Sequence, residues 1–312
     1  MSLFNHYKQL LGYDNIPEFL NKYIFDPKLI RLSKIGYFCG MDYASKDIYN
    51  FKEKISRYEH SITTALLTWK LTKDKKATIA ALYHDISTPC FSHTIDYMNK
   101  DYNKQESTEE YTMDILEQDE YLKLCLDEDD IDFDDIKNIK SYSIVDNDRP
   151  KLCADRLDGI ILTSISWMQN ISEKDIDSII NDVTVFINED QEYEIGFKTS
   201  SVAEMVIELN NKININTHSN YDCYMMELLA SITKHAINHE YILYDDLYIY
   251  TEDRLFEVLN TIADKDLKIM INKFQTIKQF EIPEIKIEDV KDRSINPLVS
   301  GERFENQKSF QY

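Results

Sequence analysis

Residues 77–89 read ATIAALYHDISTP, an apolar segment with helical spacing that ends in an adjacent histidine and aspartate. Pro89 cannot continue a helix, because its ring removes a backbone N–H and clashes with the preceding turn. The stretch therefore predicts a short buried helix with His84 and Asp85 at its C-terminal end. Two side chains that bind cations are thus fixed side by side on an apolar element.

Two other segments supply side chains of the same kind. Ser56 followed three residues later by Glu59 is a capping-box pattern, and it predicts a helix with His60 in its first turns. Pro150 closes a polar loop, and the apolar pattern after it predicts a helix with Asp155 in its first two turns. Three helices can therefore deliver ligands to one divalent cation.

The ligand types define the chemistry of this predicted centre. Imidazole suits borderline metals and carboxylate suits hard ones, so His60, His84, Asp85 and Asp155 together accept manganese, iron, magnesium, cobalt, nickel or zinc. Four protein ligands on an octahedral ion leave about two positions for water and a substrate oxygen. Such an ion lowers the pKa of bound water and polarises a phosphoryl group, so the pattern indicates hydrolysis by attack of metal-bound hydroxide.

These residues resemble the HD-domain metal-dependent phosphohydrolases, and their surroundings are similar to the branch that contains the deoxynucleoside triphosphate triphosphohydrolases. The resemblance covers residues 28–165. It rests on three segments, which are RYEHS at 57–61, HDISTPCFSH at 84–93 and ADRLD at 154–158. It implies a helical HD-type core, one divalent metal ion held by the four residues above, and a small phosphorylated substrate of the nucleotide class.

The resemblance also implies roles for residues outside the metal centre. His93, Asp96 and Glu106 fall where that branch keeps catalytic or phosphate-contacting groups. Arg57 and Arg156 fall where the substrate phosphates are neutralised. In this hypothesis His93 assists proton transfer, and both arginines bind substrate.

The chain departs from the branch at two positions. Gln105 stands where a histidine is expected, and so does Thr88. Neither side chain acts as an acid or base near neutral pH. The alternative to an enzyme is therefore a nucleotide-sensing regulatory module that keeps the metal site without efficient turnover.

The charge balance restricts the partners. With 56 acidic and 35 basic residues the formal charge is −21, which disfavours long nucleic acid but allows a small phosphorylated molecule beside a cation. No apolar run reaches the length of a bilayer span, so no membrane partner is expected. Five cysteines at irregular spacing and the lack of a secretory pattern predict reduced thiols and a cytoplasmic location. A homo-oligomer is expected by analogy with the family.

The overall pattern predicts a mostly α protein, because glycine and proline are scarce and helical periodicity dominates. We expect an HD-type core over residues 1–170 and a mainly helical accessory region over 171–312. Alternating residues predict a β-hairpin near 183–197, and a shorter alternating piece predicts a strand at 284–287.

Four C-terminal residues have two readings each. His235 and His239 share one helix face, so a second metal site or a substrate contact is conceivable. Because the sequence fixes no carboxylate beside them, we interpret the pair as structural. Lys291 and Arg293 are interpreted as strand caps rather than as phosphate contacts.

Overall fold

The computed structural model describes residues 1–103, 105, 107–285, 287 and 290–305, and these residues are mostly helical, as predicted. The α-helices are α1 (Leu3–Leu11), α2 (Asn21–Ile24), α3 (Pro27–Arg31), α4 (Arg57–Thr72), α5 (Lys75–Tyr83), α6 (Thr94–Asn99), α7 (Thr112–Glu117), α8 (Glu120–Glu128), α9 (Asp134–Lys137), α10 (Ala154–Ser166), α11 (Glu173–Asp182), α12 (Ser200–Thr217), α13 (Asn220–Asn238), α14 (Asp246–Ile249), α15 (Glu252–Thr261) and α16 (Lys265–Thr276). The strands are β1 (Val183–Ile187), β2 (Tyr193–Phe197), β3 (Leu298–Val299) and β4 (Glu302–Arg303).

Helix α4 is central to the part of the chain that carries the predicted metal ligands. The Ser56 hydroxyl accepts a hydrogen bond from the backbone N–H of Glu59, and the Glu59 carboxylate accepts one from the backbone N–H of Ser56. The predicted capping box is therefore present. The side chains of α4 from His60 through Thr68 are buried on every face, which is the pattern of a helix enclosed by others. It packs against both α5 and α10. The three helices that carry the predicted ligands are therefore neighbours.

The predicted hairpin is confirmed, since β1 and β2 pair antiparallel from Val183 opposite Phe197 onward. The sheet continues through β3, which is parallel to β2, and β4. A side chain on Gly196 would collide with the Leu298 carbonyl oxygen, so glycine allows the close approach of β2 and β3. The strand predicted at 284–287 is wrong for residues 284, 285 and 287, which lie outside any strand, and residue 286 is outside the described part.

Helices on the two sides of residue 170 contact each other. Helix α1 packs on α11, and α10 packs on α12. The division into a core over 1–170 and an accessory region over 171–312 stays a prediction. Within the described residues, no helix combines the length and the apolar character needed to cross a membrane.

Asp222 is a buried carboxyl in the first turn of α13. Its Oδ1 accepts a 2.6 Å hydrogen bond from the hydroxyl of Tyr49, which is also buried. Burial raises the pKa of Asp222 to about 7, although the Tyr49 hydrogen bond and the charge of Arg293 act in the opposite direction. The protonated form is therefore favoured in the folded protein well above the pH at which a free aspartate ionises.

We expect Asp222→Asn to stabilise the protein relative to wild type, increasingly as the pH rises from about 4 to about 7. Over this range the wild-type carboxyl ionises in the unfolded chain but keeps its proton in the folded one, so ionisation favours unfolding. The gain should level off above pH 7 at no more than about 4 kcal/mol. Urea denaturation of both proteins at several pH values measures this difference in the free energy of unfolding.

The control is Asp253→Asn, which alters a similar hydrogen bond between a carboxylate and Tyr43 at an exposed position. A difference between Asp222→Asn and wild type that stays constant with pH would contradict the assignment.

Candidate metal centre

Helices α4, α5 and α10 bring three predicted ligands to one point. Ligand atoms of His60, His84 and Asp155 all lie within 4.8 Å of one another. His60 Nε2 is 3.0 Å from Asp155 Oδ1 and 3.1 Å from His84 Nε2. Two ligands at right angles, each about 2.1 Å from an ion, are about 3.0 Å apart. The spacing therefore fits adjacent positions around a single cation.

The outer nitrogens of both imidazoles fix their tautomers. His84 Nδ1 lies 2.7 Å from the Ala81 carbonyl oxygen, and His60 Nδ1 lies 2.7 Å from Asp158 Oδ2. Since both partners are acceptors, Nδ1 carries the proton in each ring and donates it. Each Nε2 therefore faces the centre, where it binds either a proton or a cation. This orientation of the rings, with Nδ1 engaged outward and Nε2 directed inward, is the one that metal binding requires.

Asp158 is the carboxylate that positions His60. It is fully buried, and besides the imidazole it accepts hydrogen bonds from the Tyr7 hydroxyl at 2.6 Å and the Thr63 hydroxyl at 2.9 Å. Side chains of two other helices, α1 and α4, thus hold this carboxylate in one orientation. A ring held in this way can neither rotate nor change tautomer at low cost.

Asp85 lies at the rim of the centre. Its Oδ2 is 3.8 Å from the Nε2 atoms of both His60 and His84, and it accepts a 2.9 Å hydrogen bond from Arg57 Nη1. Its role as the fourth ligand stays a prediction.

The electrostatics of the cluster favour a cation. Burial opposes charge on every group, but the carboxylates of Asp155 and Asp158 outweigh it and raise the pKa of His60 to about 10. Burial likewise acts to raise the pKa of Asp85, yet Arg57 and the imidazoles hold it well below its usual range. With both imidazoles neutral, as they are when they bind a metal, the three carboxylates and one guanidinium leave two excess negative charges, which a divalent cation would balance.

A second grouping shares Asp155 and adds Asp146 and Cys153. It is a weaker candidate, because burial raises the pKa of the Cys153 thiol to about 12. A protonated thiol is not a metal ligand. Of these two groupings, the donor set of His60, His84 and Asp155, with its two imidazoles, is therefore the stronger candidate.

The predicted catalytic residues His93 and Asp96 form a hydrogen-bonded pair. His93 Nδ1 lies 2.9 Å from Asp96 Oδ2, while Asp96 Oδ1 accepts the Ser107 backbone N–H at 3.0 Å. Burial lowers the pKa of His93, and the charges of Arg57 and Arg293 act in the same direction, against the raising effect of Asp96. Glu106, the third predicted catalytic residue, lies outside the described residues.

The two predicted phosphate contacts are placed differently. Arg57 is buried, its guanidinium lies over the Tyr37 ring at 4.9 Å, and its Nε has no hydrogen-bond partner in the described part of the chain. Arg156 instead donates to the side chain and carbonyl of Asn147 and to the Lys151 carbonyl. Its guanidinium thus organises the loop before α10, and a substrate would compete with these bonds.

A basic cluster that the sequence interpretation did not assemble lies near these groups. Arg149 Nη1 donates to the Arg293 carbonyl oxygen at 2.6 Å, and Arg293 Nη2 donates to Gln105 Oε1 at 2.6 Å. Neither guanidinium makes an ion pair with a carboxylate of the described residues. Burial, followed by the charges of Arg156 and Arg293, lowers the pKa of Arg149 to about 10. The interpretation of Arg293 as a strand cap is wrong, because its side chain contacts Gln105 instead.

Comparisons with known proteins agree with this geometry. Residues 57–159 match the family model of the HD domain. The uncharacterized protein YdhJ of Bacillus subtilis is 26% identical over 231 residues, which are 70% of this chain and 66% of YdhJ. The match thus spans just under two thirds of the length of that curated relative.

Two solved structures share the fold. A hypothetical protein from Aquifex aeolicus has a TM-score of 0.61 at 15% identity, over 83% of this chain and 71% of that chain. A phosphohydrolase from Bacteroides thetaiotaomicron has a TM-score of 0.55 at 17% identity, over 83% of this chain and 73% of that chain. The HD match shows an HD domain over residues 57–159, and the two solved structures show that the chain shares their fold.

We expect Asp158→Asn to lower the affinity for a divalent metal by about 10- to 100-fold. An asparagine amide facing His60 Nδ1 favours the tautomer with the proton on Nε2, which removes the lone pair that metal binding needs. Isothermal titration with manganese measures the effect. Tyr7→Phe is the control, because it deletes a hydrogen bond to the same carboxylate but leaves Oδ2 in place. Equal affinities for Asp158→Asn and Tyr7→Phe would refute the tautomer argument.

Proposed function

We propose that this protein hydrolyses a phosphoester or phosphoanhydride bond in a small phosphorylated molecule of the nucleotide class. The observation that carries the proposal is the convergence of two imidazoles, with their tautomers fixed, and the Asp155 carboxylate beside a cluster of arginines. His60, His84 and Asp155 would hold the divalent cation, with Asp85 as the fourth ligand. A bound cation would activate water and polarise the phosphoryl group.

The arginines supply what a phosphate substrate needs. Arg149 and Arg293 carry charge that no carboxylate of the described residues neutralises, in a protein with a formal charge of −21. Guanidinium groups bind phosphate oxygens through directed, charge-assisted hydrogen bonds. Arg57 adds a buried guanidinium that is anchored to Asp85 by one nitrogen and has an unpaired Nε. We infer that these groups neutralise the phosphates of the substrate.

His93 is the residue best suited to proton transfer. Its Nδ1 proton is directed to Asp96, which orients the ring as a carboxylate orients the base in hydrolytic triads. The lowered pKa keeps the ring neutral near pH 7. The other nitrogen, Nε2, can then accept a proton from water or pass one to the leaving oxygen.

The alternative function is a regulatory module that binds a nucleotide without turnover. It is favoured by the contacts of the two residues that depart from the family pattern. Gln105 accepts a hydrogen bond from Arg293, and the Thr88 carbonyl accepts one from Arg31. Both residues thus have structural contacts, and neither provides an acid or a base.

The deciding experiment is incubation of the purified protein with manganese and a panel of phosphorylated molecules. The panel includes nucleoside mono-, di- and triphosphates, cyclic dinucleotides and phosphomonoesters without a base, with products separated by chromatography. Asp155→Ala should reduce the product by about 100-fold or more, since loss of a ligand should cost at least as much as loss of an outer-shell partner.

Asp134→Ala is the matched control, because Asp134 is also an acidic residue in the first turn of a helix, and its partner is Lys137 at the surface. Metal-dependent nucleotide binding without any product would support the regulatory module. Turnover of phosphomonoesters alone would remove the nucleotide from the proposal.

We expect Arg293→Gln to raise KM about 10-fold or more with a smaller effect on kcat, because a charge-assisted hydrogen bond contributes about 1.5–3 kcal/mol. Metal affinity should not change, since Arg293 contacts none of the metal ligands. The control is Arg254→Gln, which removes an arginine paired with Glu257 at the surface. An unchanged KM would exclude Arg293 from the substrate site.

A further inference from the structure

A further group of side chains that could bind a metal lies far along the chain from the centre formed by His60, His84 and Asp155, which we call the HD centre. His235 and His239 are one turn apart at the C-terminal end of α13, and Asp264 is the N-cap residue of α16. Ligand atoms of these three residues all lie within 4.8 Å of one another. The sequence places the two histidines on one helix face but does not reveal a carboxylate beside them. The proximity of Asp264 in the structure changes the interpretation of the pair.

The carboxylate is held in place with one oxygen directed at the histidines. Asp264 Oδ1 accepts the Leu267 backbone N–H at 2.8 Å and so caps α16. Its Oδ2 lies 3.0 Å from His235 Nε2 and accepts a hydrogen bond from the Tyr241 hydroxyl, also at 3.0 Å. The carboxylate is thus oriented by a backbone N–H and a neighbouring hydroxyl, as metal-binding carboxylates are.

The second histidine has its outer nitrogen occupied. His239 Nδ1 lies 2.9 Å from the His235 carbonyl oxygen, so it carries the proton and donates it. This leaves the His239 Nε2 lone pair as a ligand. The two rings stack with centroids 4.1 Å apart, which brings them to the same side of the helix. A capping aspartate with one paired histidine explains Asp264 and His235, and Nδ1 of His239 caps the end of α13, but none of these contacts uses the Nε2 atom of His239.

We propose that His235, His239 and Asp264 bind one zinc ion. Two imidazole nitrogens and one carboxylate oxygen suit zinc, which is borderline between hard and soft and takes four ligands, so one position would remain for water. The site shares no residue with the HD centre, and the proposal does not rest on the proposed function. Because α13 and α16 pack together, the ion would join the end of one helix to the start of the other.

The test is the number of zinc ions bound per chain, measured by elemental analysis after incubation with a small excess of zinc and removal of free metal. Asp155→Ala serves as the background, since it disables the HD centre. We expect this variant to keep one zinc ion and to lose it when His239→Ala or Asp264→Asn is added. Asparagine can still cap α16 through its oxygen, so the loss is not due to helix unfolding.

The matched control is His218→Ala, also added to Asp155→Ala. His218 is an exposed histidine whose Nδ1 likewise contacts the carbonyl oxygen four residues earlier, at Asn214, but it belongs to no ligand group in the described residues. This control should keep its zinc. Equal zinc content with and without His239 would overturn the proposal. The HD centre is disabled in all of these variants, so the zinc content does not depend on whether the proposed function is correct.

A second measurement tests the link between the helices. Zinc should raise the melting temperature of Asp155→Ala relative to the same protein with chelator, because a ligand that binds only the folded state stabilises it. The rise should disappear with His239→Ala and persist with His218→Ala. An equal rise in both would show that zinc acts elsewhere and would contradict the site.

Discussion

The hydrogen bond between Asp158 and His60 is the constraint on which the rest of the site depends. A buried carboxylate is costly unless its lone pairs are satisfied, and Asp158 accepts bonds from α1, through Tyr7, and from α4, through His60 and Thr63. Three helices are therefore fixed relative to one another by a single side chain. The same contacts fix the tautomer of His60, so the packing of the core and the chemistry of the metal centre have one cause.

The charges around this bond favour a cation at the candidate metal centre. Asp85 and Asp155 add negative charge next to Asp158, and Arg57 offsets only part of it. A divalent ion would balance the remainder. Arg149 and Arg293 carry positive charge that no carboxylate of the described residues pairs with. Among the described residues, excess negative charge thus lies at the candidate metal centre, and positive charge without an ion-pair partner lies at Arg149 and Arg293.

Local chemistry explains which features the sequence could predict. The cap at Ser56, the helix end at His84 and the helix start before Asp155 each depend on neighbours within a few residues, and all three are present. The contact between Arg293 and Gln105 joins residues 188 positions apart, and no local pattern encodes it. The strand expected at 284–287 failed for a related reason. A four-residue alternation is too short to outweigh tertiary contacts, and the chain instead pairs β3 with β2 beside Gly196.

Two of the histidine–carboxylate pairs among the described residues, His60 with Asp158 and His235 with Asp264, show how environment assigns a role to the same chemistry. In the HD centre the pair of His60 and Asp158 is buried, so the carboxylate binds the outer nitrogen and leaves Nε2 for a metal. At the end of α13 the pair of His235 and Asp264 is only partly buried, and the carboxylate faces Nε2 itself. There the carboxylate can be a ligand, since its other oxygen already caps a helix. One arrangement uses the carboxylate to orient a ligand, and the other offers it as a ligand, so position relative to the ring nitrogen, rather than residue type, distinguishes the two sites.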